Sequence, residues 1–114
     1  MRGELTVYFQ SNVSYKIQVY EVQKTEEFDN WLKGLRDERA VAGIASRIER
    51  LGMGNPGDVT PVGEGISEMR LTYGPGYRVY FKQTRLTIVL ILCGGDKSTQ
   101  DMDIKRAKEL AAQL

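Results

Sequence analysis

Residues 67–83, SEMRLTYGPGYRVYFKQ, contain two stretches of alternating apolar and polar residues, separated by the turn-forming letters GPG. Alternation with a period of two is typical of a β-strand with one buried face, and glycine and proline favour a reversal between two strands. The sequence therefore predicts a β-hairpin with a short turn. Because side chains alternate across a strand, one face should carry the residues Met69, Leu71, Tyr73, Tyr77, Val79 and Phe81.

The opposite face of this hairpin should be polar and mostly basic. It would carry Glu68, Arg70, Thr72, Arg78, Tyr80 and Lys82. No acidic residue occurs between Met69 and Gly95, a stretch whose four basic residues include Arg85. A surface ion pair contributes only about 0–1 kcal/mol, so stability gives little reason for arginine here. The face is either simply solvated or, since arginine suits bidentate phosphate contacts, binds a phosphate backbone that is not part of this chain.

The segments before the hairpin predict a strand and two helices. YKIQVYEV (15–22) alternates and is rich in β-branched and aromatic residues, as strands are. Thr25 can cap a first helix and Asp37 a second, which Gly52 would end. Only Arg36 separates the two helical patterns, which favours an antiparallel helical hairpin. The inner faces would be formed by Phe28, Trp31, Leu32 and Leu35 in the first helix and by Val41, Ile44, Ile48 and Leu51 in the second.

The remaining segments complete an α+β domain. Residues 52–65 hold five glycines and two prolines and should form a loop with a short strand around Val59. LTIVLIL (86–92) is apolar on both faces, as a central strand is. Ser98 and Asp101 resemble the capping box of a C-terminal helix. The residues of this helix that should face inward are Ile104, Ala107, Ala111 and Leu114.

The composition limits the chemistry. The 114 residues include no histidine, which excludes Ser-His-Asp hydrolysis, paired-histidine ribonuclease chemistry and most zinc sites. A net charge of +1 gives no global nucleic-acid signature, although a local basic stripe can still steer an anion. The single Cys93 should be a small buried apolar residue, which agrees with a reducing compartment. Without a membrane-spanning run or a secretory pattern, we expect a cytoplasmic protein with no membrane partner.

The first fourteen residues are treated apart from the predicted domain, residues 15–114. Their end includes VYFQSN, which resembles what remains of a protease-cleavable expression tag, whereas the upstream residues do not match a usual tag. A natural extension and a tag remnant are both open. We therefore give residues 1–14 no functional weight.

A second candidate for anion binding is CGGDKSTQ (93–100), at the end of the last predicted strand. Gly94 and Gly95 permit unusual backbone geometries, and a predicted helix N-terminus follows them. Exposed N–H groups at such a point can bind an anion, and Lys97 adds a positive charge. A simple turn before a helix is the alternative interpretation. The motif would gain weight if Lys97 approached Arg70 and Arg78.

Residues 57–81, GDVTPVGEGISEMRLTYGPGYRVYF, and 90–110, LILCGGDKSTQDMDIKRAKEL, resemble the RelE/ParE toxin superfamily, most closely its HigB-like, phage-derived addiction module killer branch. The resemblance covers about residues 15–114. It implies a mostly antiparallel β-α-α-β-β-β architecture with a C-terminal helix. It also implies a toxin of a type II toxin–antitoxin system, silenced by a helix-turn-helix antitoxin that alone would bind operator DNA.

Many relatives in that superfamily are messenger-RNA endoribonucleases that act on the ribosome without a metal or other cofactor. The resemblance matches their basic residues to Arg70, Arg78 and Lys97. The strand lysine two positions before Arg70 is replaced by Glu68, and the C-terminal tyrosine of RelE-like toxins has no counterpart near Asp101 and Asp103. The active-site histidines of HigB enzymes are also absent, so the general base is open.

The implied reaction is attack of a ribose 2′-OH on the adjacent phosphate, leaving a 2′,3′-cyclic phosphate and a 5′-OH. Arg78 would stabilise the charge on the phosphoryl oxygens. Arg70 would position the backbone, Lys97 would bind phosphate or protonate the leaving oxygen, and Glu68 is a candidate base. Further RNA contacts are expected from Tyr80, Lys82, Arg85, Gly94, Gly95 and Ser98. The alternative is a ParE-like, non-catalytic toxin that inhibits DNA gyrase by binding.

Overall fold

The computed structural model describes residues 20–84 and 88–114 completely and residues 4–8 and 14–18 by their backbone. Within these ranges the chain is an α+β domain with a mixed five-stranded sheet and three α-helices. A short 3-10 helix (Lys97–Thr99) precedes the last α-helix. The elements are β1 (Glu4–Tyr8), β2 (Ser14–Gln18), β3 (Glu21–Lys24), α1 (Glu26–Gly34), α2 (Glu38–Gly52), β4 (Val59–Gly63), β5 (Ile66–Arg70), β6 (Arg78–Gln83), β7 (Ile88–Gly95) and α3 (Gln100–Ala112).

The main sheet has the strand order β3-β7-β6-β5-β4. Only the β3–β7 pair is parallel, so the predicted mostly antiparallel α+β class is confirmed. The short strand at Val59 and the interior position of the strand at 86–92 are also confirmed, although residues 85–87 lie outside the described part. None of the described helices is long and apolar enough to cross a membrane.

The predicted single strand 15–22 is wrong, because the chain divides it between two sheets. β2 pairs with β1 in a separate antiparallel ribbon, whereas β3 joins the main sheet. Between them, the N–H of Tyr20 donates a 2.7 Å hydrogen bond to the carbonyl of Gly52, at the end of α2. Tyr20 therefore bonds to the end of a helix, whereas the alternating pattern predicted that it would lie within a continuous strand. The division into residues 1–14 and a domain of residues 15–114 stays a prediction.

One face of the main sheet packs against α1 and α2. Its core contains the predicted hairpin residues and most of the predicted helical residues, with Phe28, Ile44, Met69 and Val79 fully buried. In α2 the buried position falls on Ala40 rather than the predicted Val41. The predicted helix caps hold, since Thr25 Oγ1 accepts from the N–H of Phe28, and Asp37 from those of Arg39 and Ala40.

The other face of the sheet packs against α3. From the alternating pattern alone, this face of the hairpin was expected to be exposed. Its core consists of Ile66, Tyr80, Leu92, Cys93 and Ala107. The polar face of the hairpin is therefore half covered by a helix. Within α3 itself, Ile104, Ala107 and Ala111 pack as predicted, but Leu114 is 70% exposed because it follows the last helical turn.

The connections differ from the predicted ones in two places. The β5–β6 turn is longer than the predicted GPG turn and spans residues 71–77, with the N–H of Leu71 bonded to the carbonyl of Tyr77. The predicted capping box of Ser98 and Asp101 is wrong. It is formed instead by Asp96 and Thr99, and it caps the short 3-10 helix before α3.

Cys93 is buried between the sheet and α3, as the sequence predicts. Burial raises the pKa of its thiol to about 12, and the carboxylates of Asp103 and Glu27 act in the same direction. We therefore expect the native protein to resist alkylation by iodoacetamide at pH 8, and the protein unfolded in guanidinium chloride to react at the rate of a free thiol. Equal rates in the two states would contradict the position of α3 over this strand.

Candidate functional site

A cleft of about 450 Å³ lies where β5 ends and β6 begins. Arg70 and Arg78 are directly opposite each other in the β5–β6 register, so both side chains leave the sheet on the same face. Lys97 joins them because its N–H donates to the carbonyl of Pro75 in the β5–β6 loop. The structure thus brings together three of the predicted site residues. The cleft is lined by Asp58, Arg70, Leu71, Thr72, Gly76, Arg78 and Lys97.

Arg70 has a carboxylate partner within the chain, contrary to the expectation from the acid-free stretch. Its Nη2 lies 3.0 Å from Oδ1 of Asp58, and the two side chains are 40% and 50% exposed. The backbone holds Asp58 there, since the N–H of Arg70 donates to its carbonyl at 3.1 Å. Arg47 adds a clamp by donating to the carbonyls of Arg70 and Pro56. Because this ion pair is solvated, replacing the Asp58 carboxylate by another anion as the partner of Arg70 costs little free energy.

Arg78 also has an internal partner and is mostly buried. Its Nε lies 3.4 Å from Oε2 of Glu68, and its Nη1 donates a 3.1 Å hydrogen bond to the carbonyl of Gly76. Its side chain is 12% exposed, and the exposed part lines the cleft. The contact between Nε and Glu68 is an ion pair, but its geometry does not allow a hydrogen bond. The prediction that this arginine has no partner in the chain is therefore wrong, although it still reaches the cleft.

Glu68 is not the exposed carboxylate that the sequence predicted. It is 2% exposed and lies below the first turn of α3. Its Oε2 accepts a 2.9 Å hydrogen bond from the hydroxyl of Tyr80 and a 2.8 Å bond from Nε2 of Gln100. A carboxylate so enclosed cannot reach a proton on a ligand in the cleft. This geometry therefore gives no support to the prediction of Glu68 as a general base.

Tyr80 and Lys82 do not contribute to the cleft. Tyr80 is fully buried against α3, so it cannot stack on a base, and burial followed by the hydrogen bond to Glu68 raises its pKa. Lys82 lies near the other end of β6, where its side chain passes beside Gly65 in the β4–β5 turn. Arg85 falls outside the described residues. The structure therefore gives no support at this cleft to the RNA contacts predicted for Tyr80 and Lys82.

The glycine pair has a packing role instead of the predicted anion-binding role. Gly94 and Gly95 are extended residues of β7, paired with Val79 and Arg78. A Cβ atom on Gly94 would meet the ring of Trp31, and one on Gly95 would meet the carboxylate of Asp103. Their N–H groups therefore do not form the predicted loop site.

Ser98 is likewise satisfied within the chain. Its N–H and hydroxyl both donate to Oδ1 of Asp96, at 2.8 and 2.5 Å. The same contacts hold the pKa of Asp96 below its usual value. The predicted role of Ser98 in RNA binding is not supported by this arrangement, whereas Lys97 beside it is exposed and lines the cleft.

The close contact at Gly94 gives a stability prediction. In Gly94→Ala the added Cβ would clash with the ring of Trp31, and overpacking of this kind costs about 1–3 kcal/mol. We expect a lower midpoint of urea unfolding. The control is Gly43→Ala in α2, whose Cβ would make an ordinary 3.7 Å contact with Leu71. Equal stability of the two variants would refute this packing of α1 on β7.

Sequence reasoning missed Asp58, the acidic residue that lines the cleft. A signal was present in the β4–β5 hairpin. Its two-residue turn, Glu64 and Gly65, has positive φ at both positions, as the favoured hairpin turns require. That turn pairs Val59 with Met69, which brings Asp58 next to Arg70.

Comparison with known proteins gives one informative match. No family model matches the chain, and no solved structure matches it. A curated protein of Haemophilus influenzae strain Rd, which carries the name "Uncharacterized protein", is 52% identical over 94 residues. The match covers 82% of this chain and 95% of the Haemophilus protein. With such similarity over nearly the whole relative, the chain belongs to the same family as that Haemophilus influenzae protein.

Proposed function

We propose that this protein is the toxin of a type II toxin–antitoxin system and that it cleaves messenger RNA. The observation that carries the proposal is the convergence of Arg70, Arg78 and Lys97 on one cleft. Three cations, two from neighbouring strands and one from the 3-10 helix before α3, suit a polyanionic backbone. From β3 to α3 the elements follow the order β-α-α-β-β-β-β-α, which has one strand more than the RelE-like order that the resemblance implies. We treat the domain as RelE-like, with β4 as an additional strand at the edge of the sheet.

The proposed reaction needs no cofactor. The ribose 2′-oxygen attacks the adjacent phosphorus, the bond from phosphorus to the 5′-oxygen breaks, and a 2′,3′-cyclic phosphate and a 5′-OH result. Negative charge builds on the non-bridging oxygens during attack. Nε of Arg78 faces Glu68 and its Nη1 donates to the carbonyl of Gly76, so its Nη2 remains available to donate to those oxygens. Such a preorganised donor stabilises the transition state without the cost of reorienting.

The two proton transfers are assigned to groups that line the cleft. Asp58 replaces Glu68 as the proposed base, because its half-exposed carboxylate can accept the proton of the 2′-OH. Lys97 is exposed and can donate a proton to the departing 5′-oxygen. Water then returns the proton from Asp58 to Lys97, so the protein regains its starting state.

Arg70 is proposed to position the RNA backbone. In the free protein its Nη2 pairs with Asp58, and an RNA phosphate would compete for the same guanidinium. An exposed ion pair contributes only about 0–1 kcal/mol, so breaking the pair with Asp58 costs little. Breaking the pair also frees the carboxylate of Asp58 at the moment when the substrate arrives.

The proposed partners follow from the resemblance and the cleft. The substrate is messenger RNA, presented on the ribosome, and a helix-turn-helix antitoxin silences the enzyme in the cytoplasm. The test is controlled induction in a bacterial host, followed by primer extension on abundant messages. We expect growth arrest with new message ends. We also expect the neighbouring gene to encode a short helix-turn-helix protein whose coexpression suppresses both effects. Arrest with intact messages would contradict the nuclease proposal.

The burial of Glu68 and Tyr80 favours a second candidate, a ParE-like toxin that inhibits DNA gyrase without cleaving RNA. Two groups that were expected to act on RNA are enclosed by the protein. Under this alternative the purified protein would inhibit gyrase supercoiling of a relaxed plasmid, and induction would trigger a DNA-damage response. We favour the nuclease because the basic residues, rather than these two, line the cleft.

A further inference from the structure

A buried polar cluster connects the cleft to the first turn of α3. We define it as the α3 cluster, formed by Glu68, Arg78, Tyr80 and Gln100. Oε2 of Glu68 is its centre, with the hydroxyl of Tyr80 at 2.9 Å, Nε2 of Gln100 at 2.8 Å and Nε of Arg78 at 3.4 Å. The four side chains come from β5, β6 and α3.

Burying the charged groups of the α3 cluster costs free energy of folding. Glu68 is 2% exposed, and placing a carboxylate and a guanidinium in the interior costs desolvation energy that their attraction repays only with good geometry. Here the geometry is incomplete, because Nε of Arg78 lacks an aligned hydrogen bond. Apolar residues of similar size would often be as stable at such positions. The cluster therefore calls for an explanation other than stability.

The cluster determines which part of Arg78 faces the cleft. Glu68 holds Nε from below, and the carbonyl of Gly76 holds Nη1 from the side. These two contacts fix the plane of the guanidinium and leave the Nη2 edge for the cleft. Gln100 in turn fixes the Glu68 carboxylate from α3. The orientation of Arg78 thus depends on a residue of the C-terminal helix that does not line the cleft.

We infer that Glu68 and Gln100 are positioning residues that aim Arg78 at the RNA phosphate, so that α3 is part of the anion-binding machinery. The inference rests on the proposed function in taking RNA as the ligand of Arg78. Neither residue touches the substrate. Their effect reaches the cleft only through the guanidinium of Arg78.

The variant Glu68→Gln distinguishes a positioning role from a purely electrostatic one, because the two roles predict opposite changes in the affinity for RNA. The variant keeps the shape and gains one unit of positive charge near the cleft. If Glu68 acted only as a negative charge, RNA would bind more tightly. If it aims Arg78, the guanidinium loses its ionic partner and binding weakens by about tenfold, the size expected for one charge-assisted contact.

The probe is a short RNA with 2′-deoxy substitutions, which the enzyme can bind but not cleave. We expect about tenfold weaker binding to Glu68→Gln and roughly threefold weaker binding to Gln100→Ala, which removes one hydrogen bond without changing charge. The control is Glu109→Gln, which makes the same charge change on the exposed side of α3. Equal or tighter binding by both cluster variants, corrected for the folded fraction, would overturn the inference.

A spectroscopic measurement tests the same point without RNA. The Nε–Hε signal of Arg78, assigned by its loss in Arg78→Lys, should exchange slowly with water in the wild type. It should exchange at least several times faster in both Glu68→Gln and Gln100→Ala, because Glu68 pairs with Nε and Gln100 holds the Glu68 carboxylate in place. Unchanged exchange in both would overturn the inference. Gln100→Ala alters only a partly buried side chain, so it serves if Glu68→Gln does not fold.

These results are separable from those that test the nuclease. If the wild type cleaves no RNA but the cluster variants free Arg78 and weaken binding of the polyanion, positioning stands and the nuclease proposal fails. If replacement of Arg78 abolishes cleavage while Glu68→Gln and Gln100→Ala behave as the wild type, the nuclease stands and the positioning inference fails.

Discussion

Replacement of Arg78 by alanine is expected to slow messenger-RNA cleavage by about 100- to 1,000-fold, the range observed when one preorganised donor to a developing oxyanion is lost. Arg78 is 12% exposed and reaches the cleft beside Arg70, so it can contact the phosphoryl oxygens directly. The measurement is the rate of appearance of cleaved message after induction at matched protein levels. The same variant should lose its toxicity.

Arg78→Ala also leaves the buried carboxylate of Glu68 without its ionic partner, which can cost about 3 kcal/mol or more of stability. Arg78→Lys is the complementary variant, since it keeps the charge but cannot reproduce the planar fork. It should fold and bind RNA, but it should cleave RNA much more slowly than the wild type. The control is Arg50→Ala on the exposed side of α2, outside the cleft. Wild-type cleavage by a folded Arg78→Lys protein would remove Arg78 from the mechanism.

Asp58→Asn is expected to produce two opposite effects. Loss of the proposed base should slow cleavage by about 100- to 10,000-fold. Loss of the negative charge 3.0 Å from Arg70 should at the same time tighten the binding of non-cleavable RNA, because the phosphate no longer competes with the carboxylate. The measurement pairs cleavage rates at saturating RNA with binding at several salt concentrations.

The combination distinguishes a base from a mere partner of Arg70. If Asp58 only held Arg70 in place, the variant would lose affinity along with rate. If it only competed with RNA, the variant would cleave as fast as the wild type or faster. Glu49→Gln on the exposed side of α2 makes the same change of charge and should alter neither quantity. Either of the two single-effect results would assign the base elsewhere.

The sequence predicts those parts of the fold that local patterns determine. The caps at Thr25 and Asp37, the buried hairpin face and the interior strand all follow from periodicity and capping chemistry, which act over a few residues. The position of α3 depends on tertiary packing. Alternation places Tyr80 opposite the first core, and only the second core between β6 and α3 shows that it is buried.

The site was predictable to a similar extent. Strand parity places Arg70 and Arg78 on one face, and the register confirms that they lie opposite each other. The roles of the carboxylates could not be read in the same way. Asp58 reaches Arg70 through the β4–β5 turn, and Gln100 encloses Glu68 from α3. Both contacts join segments that are more than ten residues apart.

The absence of acidic residues from 69 to 95 led to the wrong expectation that these arginines have no partner in the chain, because distance along the sequence is not distance in the fold. Between residues 69 and 95 Arg70 and Arg78 have no acidic neighbour. Their partners precede this range, Glu68 directly and Asp58 just before the adjacent strand β4, across the β4–β5 hairpin. What distinguishes the two pairs is burial. The Arg70 pair is solvated and exchangeable, whereas the Arg78 pair is enclosed and orienting.

The chemistry of the RNA ends tests the central claim most directly. Ligation that captures only 5′-hydroxyl ends, applied to total RNA after induction, identifies cleavage by 2′-oxygen attack without assuming a sequence preference. The account predicts many new 5′-hydroxyl ends within coding regions for the wild type and very few for a folded Arg78→Lys variant at equal protein level. Growth arrest by the wild type with no new 5′-hydroxyl ends in messages would contradict it.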